Sequence, residues 1–241
     1  MVFIDIGGHR GQALEVALNP KYGFDKFIVF EPSTRAITYL KNFNNKKIEL
    51  YNFGLGNKNK KTILYNSGEP GASIFKSKFK ESEIVSKELI TLKKASTVLK
   101  PYLQDLKVFI RINCEGSEVE IIEELIKSGL LKDSHSFLVD FDILKVNSSY
   151  PIENLLVKIN NDNLRISRKP YGGGTTRIQV KKWLDIELQN QLIKVSVADA
   201  LRYKLKFYIS LNKRLIKYFS FIPIKLRIRL FKIFKLYKFL E

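Results

Sequence analysis

The chain has 241 residues, 45% of them hydrophobic and 27% charged, which is length for one or two domains and apolar content for a packed core. Its single cysteine, Cys114, excludes an internal disulfide and a multi-cysteine zinc site, and the two histidines, His9 and His135, argue against a histidine-rich metal centre. The formal net charge is +18, of which +11 falls in residues 200–241, where twelve Lys or Arg stand against one acid; that asymmetry points to a polyanionic partner for the segment.

Five of the first six residues, Met1 to Ile6, are apolar and read as a short buried strand. Gly7, Gly8 and Gly11 follow, then a helical pattern in Ala13, Leu14, Val16, Ala17 and Leu18. Strand, glycine turn and helix form the first half of a nucleotide-binding βαβ unit. Asp5 and the glycines interrupt any leader-like apolar run, and no stretch of eighteen apolar residues predicts a membrane span. A second strand, Phe27 to Phe30, ends in Glu31, placed to accept hydrogen bonds from ribose hydroxyls. A carboxylate beside the glycine turn, Asp5, is wrong for a pyrophosphate and suits a cationic, ribose-bearing ligand. S-adenosylmethionine, with its ammonium and sulfonium, is such a ligand. His9, inside the turn, is assigned to the same binding site rather than to base catalysis.

Pro32 suits a first helical turn, and Ala36, Ile37, Leu40 and Phe43 give the helix an apolar stripe. Ile48 to Tyr51 reads as a third strand, with Asn52, Phe53 and Gly54 at its carboxyl end, either contacting the nucleoside or forming a plain turn. Lys60 to Tyr65 and Leu89 to Leu92 read as added extended segments. Ser73 sits in a Gly/Pro-rich loop, near the cofactor or in a surface turn. Residues 76–88 are charged and expected to be exposed, and a helix from Ala95 to Tyr102 is expected to break at Pro101. Leu106 to Ile112 is the clearest central strand, leading into Asn113, Cys114, Glu115 and Gly116. Glu115 either takes a proton from an acceptor or caps the next helix, which carries Val119, Ile121, Ile122, Leu125 and Ile126 and stops at Gly129. Ser136 to Asp142 reads as another strand, with His135 at its far end. Asp140 and Asp142 lie at its tip, as a base, acceptor ligands, metal ligands or a solvated end. Residues 151–160 read as a helix. Asn163 to Ser167 and Thr176 to Val180 read as a hairpin around Gly172 to Gly174, bordering the acceptor site together with Trp183.

Four segments carry a resemblance: Asp5 to Gly11, Phe30 to Ser33, Asn52 to Gly56, and Arg111 to Glu118. In this order, over roughly residues 1–145, they resemble motifs of the FkbM-type methyltransferases. The resemblance implies a class I methyltransferase (Rossmann-like) α/β fold with a doubly wound sheet. It also implies S-adenosylmethionine as cofactor and a sugar or other hydroxyl as acceptor. Residue pattern and resemblance together give Asp5, Gly7, Gly8, His9, Gly11, Glu31, Pro32, Asn52, Phe53, Gly54 and Ser73 as expected cofactor residues and Asn113, Glu115 and Asp140 as expected catalytic ones, with no metal site expected. Asn113 departs from the Asp usual there and cannot take a proton. The family also carries residues before the first strand, so an upstream portion is expected beyond Met1.

The expected division is a methyltransferase domain over 1–195 and a basic amphipathic helical tail over 196–241. Leu201, Leu205, Tyr208, Leu215 and Phe219 recur at helical spacing, and after Pro223 so do Leu226, Leu230, Ile233, Tyr237 and Leu240. Lys225, Arg229, Lys232, Lys235 and Lys238 recur beside them, a pattern suited to an anionic membrane surface. The expected enzyme is an O-methyltransferase of a surface polysaccharide or related glycan, cytoplasmic and peripheral on the inner face of the membrane. The alternatives are an RNA methyltransferase whose tail grips phosphate and a non-catalytic binding module.

Overall fold

The computed structural model describes residues 1–103, 107–131, 135–146, 152–161, 165–168 and 175–190. Met1–Leu188 form one compact unit. The tail and the expected boundary at 195/196 lie outside the described residues.

Among the described residues, nine strands form two sheets. The larger contains β1 (Val2–Ile6), β2 (Lys26–Phe30), β3 (Ile48–Tyr51), β7 (Val108–Ile112), β8 (Ser136–Val139) and β9 (Arg165–Arg168). Its order is β3-β2-β1-β7-β8-β9, and every pair in it is parallel. Succession runs outward from β1 in one direction and from β7 in the other, so β1 and β7 flank a topological switch point, where open α/β sheets bind ligands. The smaller sheet contains β4 (Gly54–Gly56), β5 (Lys60–Tyr65) and β6 (Lys87–Lys94) in the order β4-β6-β5. β5 and β6 are the two extended segments expected there.

Both faces of the larger sheet are covered, as parallel sheets require. Side-chain alternation divides the core in two. Val2, Ile4, Ile6, Val108, Ile110 and Ile112 pack on one face against α3 (Ala95–Leu103), α4 (Glu118–Lys127) and α6 (Ile152–Asn161). Phe3 and Phe109 pack on the other, against α1 (Gln12–Ala17), α2 (Thr34–Leu40) and Trp183. A short α5 (Ile143–Val146) follows β8. The α/β doubly wound architecture is the one expected.

Local expectations fared unevenly. The strand pair expected around Gly172 to Gly174 is absent as drawn: β9 is a parallel strand beside β8, residues 176–190 are helical (α7), and 171–174 lie outside the described residues. Thr176, Ile178 and Val180 are β-branched, but Val180, Trp183, Leu184 and Leu188 recur at helical spacing and pack into the core. The burial stripe overrides local propensity. Trp183 therefore does not border the candidate site; it is fully buried and donates Nε1–H to Ser136 Oγ at 3.1 Å. Pro101 lies inside α3 rather than ending it. Among the described residues, no helix is long and apolar enough to cross a membrane.

Candidate active site

The site forms where the loops after β1, β2 and β7 meet the segment from Asn66 to Phe79. Gly7 leaves β1 at φ +89°. A Cβ built on it would lie 2.0 Å from the backbone oxygen of Asn113, so only glycine allows the β1 and β7 tips this close. The Gly7 and Gly8 N–H groups both donate to the Phe30 carbonyl, at 2.9 and 3.1 Å, which ties the glycine turn to the end of β2. Gly11 closes the turn on Gly8 O at 2.8 Å and begins α1.

Glu31 projects from the β2 tip with both oxygens held by backbone. The N–H of His9 donates to Oε2 at 2.7 Å and that of Ser33 to Oε1 at 2.8 Å. Ser33 in turn caps α2 by accepting from Ala36 N at 3.1 Å. Burial raises the Glu31 carboxyl to about 7, although the two N–H donors favour its ionised form. His9 has φ +46°, and its buried Nε2 has no hydrogen-bond partner. Burial lowers its imidazole pKa below the ordinary value, with the Gly68 backbone and the Gln12 side chain opposing.

At the β7 tip, Asn113 carries a buried, unpartnered Oδ1. Glu115 has φ +55° and pairs with Lys78 Nζ at 2.5 Å. Its carbonyl accepts from Ser73 Oγ at 2.7 Å, and Lys78 also donates to Gly71 O at 2.8 Å. These three bonds clasp the 71–78 segment over the β7 tip. The loop is held from below by Glu118, fully buried, whose carboxylate accepts from Cys114 N at 2.7 Å and Gly116 N at 2.9 Å. Burial pushes Glu118 up to about 7, with Asp142 adding to the rise and the backbone donors opposing it.

Together these groups line one cavity. Of the expected residues, Gly7, His9, Glu31, Pro32, Gly54, Asn113 and Glu115 are on its wall. Gly8, Gly11, Asn52 and Ser73 stand behind it as supports: the Asn52 amide donates to the carbonyls of Glu31 and Pro32, both at 3.0 Å. Phe53 packs against Phe30 and Tyr51, with Lys93 Nζ 4.0 Å from its ring centroid. Asp140 is off the wall; its N–H donates to Ile112 O at 3.1 Å.

Asp5 differs most from expectation. It is fully buried and pairs with Arg111 at 2.7 Å; the two residues face each other in the β1–β7 register. Burial raises its pKa and Arg111 pulls the other way. Arg111 thus meets one carboxylate oxygen inside the protein; Oδ2 is buried without a hydrogen-bond partner, and Asp5 is not on the cavity wall. Arg111 also donates to Gly7 O at 3.2 Å, which fixes the turn. A charged residue within the apolar run Val108–Ile112 is a sequence signal for this pair. Lys78 gives no such signal, because it sits in a stretch as charged as any exposed one. Among the described residues, no three metal-ligating side chains are grouped to hold an ion.

With Asp5–Arg111, Glu69–Arg35 and Glu115–Lys78 paired, Glu31 is the charge on the described wall that lacks an ion partner. A single unpaired carboxyl beside unpartnered Nε2 and Oδ1 atoms fits a cationic ligand with hydroxyl or ammonium donors, which would favour its ionised form.

No family model matches the chain, and no curated protein matches it. Among solved structures, it is similar to the crystal structure of the methyltransferase FkbM from Methylobacillus flagellatus KT. The identity is 16% and the TM-score 0.40, over 63% of this chain and 36% of that one. That neighbour bears the family name the four motifs resemble. The chain spans about a third of that protein's length.

The raised Glu31 and Glu118 carboxyls have a thermodynamic consequence. A carboxyl whose folded pKa exceeds its unfolded value adds stability that is full below about 4.5 and lost as the pH rises through about 7. Glu118→Gln is expected to flatten this decline between pH 5 and 7.5, removing roughly 3 kcal/mol of pH-dependent stability. Denaturant titrations of both proteins across that range measure it. His9, lowered in pKa, works in the opposite sense on both proteins and cancels in the difference.

Proposed function

We propose that the chain is an S-adenosylmethionine-dependent methyltransferase that modifies a hydroxyl oxygen. The observation that carries this reading is Glu31: an ionisable carboxylate, held by two backbone N–H groups at the β2 tip, on the wall of the switch-point cavity. Glu31 would accept from the ribose hydroxyls. Asn113 Oδ1 and His9 Nε2, both lacking partners, would meet the amino-acid portion and the nucleoside. When bound, the cofactor supplies an electrophilic methyl on a cationic sulfur, which the acceptor oxygen takes as it loses its proton. Glu115, at the β7 tip and paired with Lys78, would receive that proton. Asn113 has no proton-accepting role and serves to position. Much of the acceleration would come from holding the acceptor oxygen in line.

Isothermal calorimetry with S-adenosylmethionine on the folded chain is the test. Heat of binding with a matching rise in thermal midpoint is expected; neither, in a folded sample, overturns the reading.

The acceptor we favour is a glycan hydroxyl presented at the inner face of an anionic membrane. The support is the tail: each basic side chain near such a surface contributes roughly 1 kcal/mol, and residues 200–241 hold twelve. Removing 200–241 is expected to leave cofactor binding intact and abolish sedimentation with anionic liposomes. Equal sedimentation of the two proteins refutes the membrane role. The same charge also suits RNA; binding that falls steeply with salt and survives detergent would favour that second reading.

A further inference from the structure

A second cavity lies beside the first, across residues 74–75 and 115–116. Ile74 and Glu115 line the first; Phe75 and Gly116 line the second. The Ser73 Oγ to Glu115 O bond at 2.7 Å ties together the two segments that both cavities share. The remaining wall is Ser77, Val119, Glu120, Ile143 and Val146. It is apolar except for the Ser77 hydroxyl and the Glu120 carboxylate. Glu120 Oε2 is buried and has no hydrogen-bond partner. A buried carboxylate oxygen left without a donor is costly unless something supplies one. Nothing on the described wall does. The nearest cation of the clasp, Lys78, is already committed to Glu115 and Gly71.

We propose that this second cavity is the acceptor site, and that it takes a compact hydroxylated ring, neutral or ammonium-bearing, which sets a hydroxyl or N–H on Glu120 and an apolar face on Phe75, Val119 and Val146. The assignment rests on the reading of the first cavity as the cofactor site, since the acceptor must reach it past Glu115. Glu120 selects by sign. A donor group satisfies its open oxygen, whereas a carboxylate or phosphate on the ring brings a like charge and no donor to it. The acceptor is therefore not anionic at the ring that enters.

Saturation-transfer NMR on the full chain tests this with methyl glucoside, methyl glucosaminide and methyl glucuronide as probes. The first two are expected to receive saturation, and the glucuronide at least tenfold less. Val146→Trp fills the cavity and should abolish both signals. Glu120→Gln keeps the shape and should weaken the glucosaminide about tenfold while admitting the glucuronide. Cofactor calorimetry on the same proteins should be unchanged by either substitution. Saturation by none of the three probes overturns the proposal, as does equal saturation by the glucuronide, or signals that persist in both variants. If the probes behave as expected but the cofactor gives no heat, the cofactor reading fails while this binding site stands.

Discussion

Glu31→Ala is expected to weaken S-adenosylmethionine binding about 100-fold. Hydrogen bonds to a charged partner are each worth roughly 1.5–3 kcal/mol, and two ribose hydroxyls on one carboxylate make about 3 kcal/mol, or two decades in affinity. The substitution also frees the N–H groups of His9 and Ser33, so the glycine turn and the start of α2 lose an anchor. Glu31→Gln keeps one carbonyl oxygen and should lose only about tenfold. Calorimetric titration of the three proteins, each shown to be folded by its thermal transition, measures the series. Affinity of the alanine variant within threefold of the parent would mean that Glu31 holds loops and no ligand.

Gly7→Ala should be the most damaging glycine-to-alanine substitution among the described residues. A Cβ there would sit 2.0 Å from Asn113 O and 3.0 Å from Asn113 C, both backbone atoms of the neighbouring strand tip that no side-chain rotation can move. The φ of +89° adds conformational strain. Together these are expected to cost about 3–5 kcal/mol, a fall of roughly 6–20 °C in thermal midpoint for a domain of this size. Gly129→Ala supplies the comparison. Its φ is also positive, at +67°, but nothing lies within 4 Å of the added carbon, so only the conformational part, about 1 kcal/mol, should remain. Equal losses at both positions would show that the close approach of the β1 and β7 tips contributes nothing.

The central strands were legible because their apolar runs are short, bounded and rich in Val, Ile and Phe. The strand-tip residues followed from chain order: once β1, β2 and β7 are placed, Glu31, Asn113 and Glu115 must gather at one end. What could not be read was who meets whom across long separations. Asp5 looks like a ligand-facing carboxylate until the β1–β7 register sets it opposite Arg111. Lys78 looks like surface charge until the fold turns it onto Glu115. Residues 176–180 misled for a different reason. Five residues with three β-branched side chains mimic a strand, and only the longer stripe through Leu188 reveals the helix.

The Asp5–Arg111 contact joins positions 106 residues apart. A slip of one residue between those strands would turn the two charges to opposite faces, each stranded in oil, at a penalty of several kcal/mol. The pair thus acts as a key that rejects wrong alignments of the inner sheet. The same key delays closure. β1 can seat early on β2, but its other edge stays open until the chain has looped back across nearly half its length, so that step should be slow and non-local.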